Sequence, residues 1–580
     1  MRTSRRVQFV AIALFLTQLY LGQRVQAQSS SNQPGPVVSD QTGFLYQPSR
    51  GSFWDPSVIY ANGQYYMFSM YHEGARSAAG GGSVWLATSQ DGVHWKDYGV
   101  VLQEDGFKNN TVWKQYVAKV GDRYILNHGA FTDQGTNNNL IRFYESLDLI
   151  HWKYLYEVPI DSKFYLANGR WDHMWMMPTN AGKSSDGCLG YNVADPIDHG
   201  GFGMMESPDC VHYHPIKAPA ILADFKVPTM EVGGIEKFGS KYYLIAGNQN
   251  HHGFYGYGVY TFVADSPMGP FRPDLPAYRL TGTSGIDGNY YIHVLDAFVK
   301  DSPDTLVSEP FTFRATTGTG GQGVWFLPMR RAIVDGEGHL RLAYWTQNDL
   351  AKGDEIRVDA GQNTVVFPPG QTDRNAIIRV ATASNSITVH TDKSWRPFPW
   401  LDSRKTRKGV LVLNQQFDLN KGLIVEGTVQ ARSLTSRGYA GPGAVNPWQD
   451  AKKTYAGFYI EGINNGLGTA ILLEAGEPQW RESLIGTLRL DTDFHFEPLD
   501  ATGPHSATVT GLDNARSHTF RLWIRGGQME LYVDDLLMQS FFFHSSSGRI
   551  GFISQESEAQ FSNLKVYEMN LSNWDSTGKK

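Results

Sequence analysis

Three carboxylates stand in apolar or aromatic surroundings where acid–base chemistry is at home. Asp55 lies in Phe53-Trp54-Asp55-Pro56-Ser57, Asp172 in Gly169-Arg170-Trp171-Asp172-His173, and Glu231 in Thr229-Met230-Glu231-Val232-Gly233-Gly234. Burial in such a setting raises a carboxyl pKa, which suits a general acid near neutral pH. Cleaving a glycosidic bond needs such an acid for the leaving oxygen. It also needs a second carboxylate as nucleophile or as base for water. Trp54, Trp171 and Trp325 offer faces that stack on sugar rings, although packing inside the fold uses the same residues. Arg170, Asn248 and His251 are the polar candidates for holding substrate. Two groups of rivals exist: Glu236 for Glu231, expected to face solvent at a turn, and Asp186 and Asp195 for Asp172.

The elements that must position these groups repeat along the chain. One pattern is a turn followed by an aromatic strand: Asn62-Gly63-Gln64-Tyr65-Tyr66, Gly121-Asp122-Arg123-Tyr124, Gly239-Ser240-Lys241-Tyr242-Tyr243 and, more weakly, Gly336 to Leu342. A second comes some 20 residues later: Ser89-Gln90-Asp91-Gly92-Val93-His94-Trp95, Ser146 to Trp152 and Ser207 to Tyr213. Its copies stand 57 and 61 residues apart, too long for a solenoid and suited to a four-stranded propeller blade with its loops. Five units are expected, at about 50–105, 106–158, 159–217, 218–280 and 281–345, with an inserted loop from Thr312 to Gly323. The closing Trp or Tyr of each second pattern is expected to pack between blades. One blade cannot bury both of its faces, so several must close radially. Asp91, Asp148 and Asp209 read as turn residues. His94, His151 and His212 occupy equivalent repeat positions, so they are spread round the ring and cannot converge on a metal; none is expected.

The composition agrees with an all-β protein. Aromatics make up 13% of 580 residues and Gly numbers 61, while charged residues are 19%. That excludes disorder and coiled coil. With 51 basic and 57 acidic residues, nucleic acid is not an expected partner. Two cysteines, Cys188 and Cys210, make no disulfide scaffold, and the sequence leaves their pairing open. Residues 1–27 read as a signal peptide, with Arg2, Arg5 and Arg6 before an apolar run and cleavage after Ala27. No membrane span is expected, and the product is read as secreted or periplasmic. The expected order is signal peptide 1–27, linker 28–45, five-bladed β-propeller 46–400, a jelly-roll or laminin-like β-sandwich 401–570, and a polar tail 571–580. Segment 346–400 is expected to return and close the ring.

The repeat, the Asp55-Pro56 pair ahead of blade one, and the intervals of 117 and 59 residues between the three carboxylates resemble the five-bladed glycosidases. These are glycoside hydrolase families 32, 43, 68 and their relatives. The sandwich is similar in layout to that of family 32. The resemblance implies a hydrolase without cofactor, acting on a terminal fructoside, arabinoside or xyloside of an oligo- or polysaccharide. It implies that Asp55 is nucleophile or base, Glu231 the acid, and Asp172 the group that orients the sugar and stabilises the transition state. The chain departs from family 32 in having Trp54-Asp55-Pro56-Ser57, Arg170-Trp171-Asp172-His173 and Glu231-Val232 where that family shows Asn-Asp-Pro-Asn-Gly, Arg-Asp-Pro and Glu-Cys. The alternatives are a non-catalytic carbohydrate-binding propeller and a phosphorylase of the same fold, with Arg330-Arg331 as its phosphate pocket.

Overall fold

The computed structural model describes residues 45–571 except 73–81, 105–111, 132–138, 180–186, 250–256, 284–288, 293–295, 309, 316–322, 367–377, 384, 392–407, 434–453, 463–466, 477–482, 491–495, 503–505, 509–510, 514–515, 526–527 and 543–546. The expected signal peptide, the linker before Leu45 and the tail after Leu571 lie outside these residues.

The first three turn-plus-aromatic patterns fold as the inner hairpins of small antiparallel sheets, while the weaker one, Gly336 to Leu342, joins Arg330–Val334 to Leu340–Tyr344. Asn62 and Gly63 both take positive φ (52° and 81°) and form the two-residue turn between Ser52–Ala61 and Gln64–His72, the geometry that matches strand twist. Ser83–Ser89 and Lys96–Gln103 complete blade one. Blade two is Gln115–Val120, Arg123–Ala130, Leu140–Ser146 and Lys153–Pro159; blade three is Trp171–Pro178, Cys188–Ala194, Gly203–Ser207 and His214–Ile216. Blade four is Glu231–Phe238, Lys241–Gln249 and Tyr257–Ala264, with Arg272–Pro273 and Arg279–Thr283 both pairing the third strand.

The Ser-x-Asp pattern builds the outer turns of the first three blades. Asp91 Oδ1 accepts from the backbone N–H of Val93 and His94, both at 2.8 Å, and its Oδ2 pairs with His94 Nδ1 at 2.7 Å. Asp148 with His151 and Asp209 with His212 repeat the arrangement. The three histidines are therefore each engaged by their own turn. The aromatic that follows packs across a seam: Trp152 of blade two on Phe68 of blade one (5.8 Å between ring centres), Tyr213 of blade three on Phe143 of blade two (5.7 Å), and Trp95 on Phe326 (5.2 Å).

Among the described residues four blades stand as separate sheets rather than five. A fifth set of four strands, Ala297–Phe298, Leu306–Ser308, Arg330–Val334 and Leu340–Tyr344, pairs in that order, but its sheet does not end there. Ala343 pairs with Leu536, and the Tyr344 N–H donates to the Asp535 carbonyl at 2.7 Å. The open edge of that outer strand is thus covered by the sandwich. The flanks of the expected insertion, Pro310–Ala315 and Gly323–Phe326, form a small sheet with Asn289–Ile292.

The described strands of segment 346–400 pair with the sandwich and not with the ring, which corrects the expected propeller limit. Lys352–Ile356 and Ser386–Thr391 pair with Ser557–Met569, and Asn363–Val366 pairs with Lys408–Leu413. The reason lies in burial: Ile387 and Val389 pack in the sandwich core beside Phe458, Phe520 and Phe561. The ring closes instead where Lys300 meets blade one. The Tyr60 N–H donates to the Lys300 carbonyl (2.8 Å) and the Lys300 N–H to the Val58 carbonyl (3.0 Å).

In the sandwich, Leu423–Ser433 and His518–Arg525 lie in one sheet, and Tyr455–Glu461 and Ile550–Gln555 in the other. Arg330 bridges the two domains from a fully buried position, donating to Glu530 (2.6 Å) and the Tyr532 hydroxyl (3.2 Å). A phosphate pocket at Arg330 is excluded by that enclosure. Cys188 and Cys210 form a disulfide within blade three. Among the described residues no helix is long and apolar enough to cross a membrane.

Candidate active site

The five innermost strands start at one end of the ring, and a buried or half-buried charged group stands at or near each start. These are Asp55 in blade one, Lys114 in blade two, Asp172 in blade three, Glu231 in blade four and Asp296 before the fifth set. The bulges that aim two of them are written in the sequence. The register slips between Trp54 and Ser57, where Asp55 takes a φ of 51°. Few residues other than glycine adopt that conformation, which costs about 1–3 kcal/mol. Gln115 secures it: its Nε2 donates to the Asp55 carbonyl (3.1 Å) and the Phe68 carbonyl (2.6 Å). A second slip falls between Val232 and Gly234, just after Glu231. Gly234 has a φ of 120°, and a Cβ there would meet the Trp175 ring at 2.7 Å.

Arg170 ties the carboxylates together. Its guanidinium forks onto both oxygens of Glu231, with Nη2–Oε2 at 3.2 Å, and Nη2 also donates to Asp172 Oδ2 at 3.1 Å. Burial opposes ionisation of Asp172, yet hydrogen bonds and charge from His173, joined by Arg170, outweigh it. They hold this carboxyl well below the usual range. The backbone of Arg170 is itself anchored, its N–H donating to Asp195 Oδ2 at 2.7 Å. The other Asp195 oxygen accepts from the Thr229 hydroxyl, and Asn248 Nδ2 donates to the Thr229 carbonyl. Asp195 is thus a brace between the Arg170 turn and the segment carrying Glu231.

Lys114 is 1% exposed. Burial pushes its ammonium down to about 8, against the pull of Asp55, Glu231, Asp296 and Asp172. Tyr116, whose ring centre is 5.2 Å from Lys114 Nζ, donates its hydroxyl to the Val232 carbonyl at 2.8 Å. Asp296 accepts from the Thr281 hydroxyl at 2.9 Å.

The structure therefore gathers Asp55, Asp172, Glu231 and Arg170 and adds Lys114, Asp296 and Asp195. Several expectations need correction. Trp171 is fully buried against Tyr165, its Nε1 donating to the Val158 carbonyl at 3.2 Å, so it has no face for a sugar. Trp54 belongs to the core of blade one. Arg170 is engaged by Glu231 and Asp172, and Asn248 donates to the Thr229 carbonyl. Glu236 is half-buried rather than solvent-facing: burial raises its carboxyl while the charge of Lys300 opposes the rise. His251 and the Trp325 side chain lie outside the described residues. Repeat offset would have found Lys114, which precedes Gly121 by seven residues, as Asp55 precedes Asn62.

A propeller joined to a β-sandwich is the fold of solved family 32 glycoside hydrolases. No family model matches the sequence, and no curated protein sequence matches it significantly. Solved structures do. The Bombyx mori family 32 β-fructofuranosidase is 12% identical with a TM-score of 0.59, over 97% of this chain and 98% of that one. Sucrose-6-phosphate hydrolase from Lactobacillus gasseri gives 12% and 0.58, over 96% of each. Fructan 1-exohydrolase IIa from Cichorium intybus gives 12% and 0.57, over 91% and 98%. At such identities the likeness is one of fold.

Proposed function

We propose that this protein is a secreted glycoside hydrolase acting on fructosides, removing a terminal furanose-type residue from a glycan. One observation carries the reading: carboxylates from three blades meet round one opening, linked by Arg170 and sharing the field of Lys114. The fold shared with enzymes named for fructosides supports it. In this reading Asp55 attacks the anomeric carbon or activates water, and Glu231 protonates the leaving oxygen. Asp172, held ionised by His173 and Arg170, faces the positive charge that develops on the ring. Arg170, which donates to both oxygens of Glu231, holds that carboxyl in place beside Asp172. Cleavage after Ala27 would release the enzyme from its signal peptide.

The test is a screen of sucrose, inulin-type fructans, and aryl arabinofuranosides and xylosides, with proton NMR of the released anomer. Fructose release is expected, with Glu231→Gln lowering kcat/KM by about 10²–10⁴-fold and Asp55→Asn abolishing turnover. Full activity in both variants, or glycan binding with no sugar released, refutes it.

A further inference from the structure

The mechanism above leaves one buried ion unused. Lys114 comes from the start of blade two, and every neighbouring blade turns a charged or titratable group toward it. Blade one gives Asp55; blade three gives Asp172, with Arg170 and His173 beside it; blade four gives Glu231; Asp296 stands before the fifth set; Tyr116 is on its own strand. Arg170 is shared between Glu231 and Asp172. Arg330 stands behind Asp296 but binds Glu530 and Tyr532 of the sandwich. Carboxylates buried together stay ionised only when a cation compensates them.

We propose that Lys114 is a positioning residue of this site, the cation that keeps Asp55 and Asp296 ionised together beneath the sugar. The proposal rests on the glycosidase reading. With Glu231 protonated, Asp55, Asp172 and Asp296 carry three negative charges against two positive ones on Arg170 and Lys114. The mouth then holds one net negative charge, which complements the single positive charge of an oxocarbenium-like transition state. Removing the Lys114 charge leaves the mouth too negative, and the deficit is met by protonation of Asp55 or Asp296.

The experiment compares Lys114→Met, Lys114→Arg, Asp296→Asn and Asp55→Asn by pH profiles of kcat/KM on the best fructoside of the screen, and by melting temperature from pH 5 to 8. Lys114→Met should move the acid limb toward neutral by about 1–3 pH units and lower kcat more than it raises KM. Lys114→Arg should restore most of the limb, and Asp296→Asn should move it the opposite way. The melting curves give a readout independent of activity. A buried acid whose folded pKa is raised stabilises at low pH and loses that contribution as pH rises. The Lys114→Met protein should therefore lose melting temperature between pH 5 and 8 relative to wild type. An unchanged limb and an unchanged melting profile in Lys114→Met overturn the proposal. If that variant does not fold, an unmoved limb with unchanged kcat in Asp296→Asn overturns the proposal equally. A fully active Asp55→Asn protein would instead sink the glycosidase reading.

Discussion

Replacing Gly233 by alanine tests whether the seam between blade four and the fifth set sets the position of Glu231. A Cβ at Gly233 would lie 2.1 Å from the Asp296 carbonyl oxygen and 2.9 Å from Ile245 Cγ1. The first contact is with backbone, so no side-chain rotation relieves it. Ordinary contact needs about 3.5 Å, and the strands must part by roughly 1 Å before the clash becomes tolerable. Both strands carry site groups: Glu231 is two residues before Gly233, and Asp296 supplies the clashing atom. A shift of that size at reacting groups costs about 100-fold in rate. Overpacking of this kind costs about 1–3 kcal/mol in stability. The assay is kcat/KM on the best fructoside beside thermal unfolding. Gly336→Ala serves as control, because a Cβ there meets nothing within 4 Å. The Gly233→Ala protein should be slower and less stable while the control matches wild type. A Gly233→Ala protein with wild-type kcat/KM and melting temperature would show that the two strands move freely against each other, and the argument for a fixed seam would fail.

Two further outcomes follow from the fold. Cys188 and Cys210 close a loop across 22 residues, so a Cys188→Ala, Cys210→Ala double variant should lose about 3 kcal/mol, measured by denaturant unfolding with and without reductant; equal stability in all four conditions would count against it. Glu530→Ala leaves Arg330 buried without its carboxylate and should cost about 3–5 kcal/mol, whereas Arg330→Met with Glu530→Leu should recover most of that loss; equal losses in both proteins would remove the ion pair as the domain fastener.

The strands and turns were legible because their signals are local. Asn62-Gly63 fixes a hairpin through backbone conformation alone, and Ser-x-Asp fixes an outer turn through one side chain and the next few N–H groups. Asp55, Asp172 and Glu231 were legible as acids in apolar surroundings. The fate of residues 346–400 was not, since Ile387 and Val389 fit a blade face or a sandwich face equally well and only long-range pairing decides. Nor was the merging of the fifth set with the sandwich, which rests on the single pairing of Ala343 with Leu536. Trp171 misled for a related reason. It neighbours Asp172 in sequence, but strand alternation sends adjacent side chains to opposite faces, so one of the two had to point away from the mouth.

Lys114 and Asp296 were not legible from residue type and local context alone. A search for acids passes over a lysine, and the strand after Asp296 covers only Ala297–Phe298, too short for a repeat to register. Asp55 and Lys114 each stand seven residues before their hairpin turn, and Glu231 stands eight before Gly239, its extra residue absorbed by the bulge at Gly233-Gly234. Position in the blade, rather than side-chain type, is what assigns a residue to the mouth. A ring that places one side chain from each blade at a common opening will set its charge balance by what every blade contributes, cations included. In the proposed balance the two cations, Arg170 and Lys114, answer that constraint, because buried carboxylates stay ionised together only beside compensating cations.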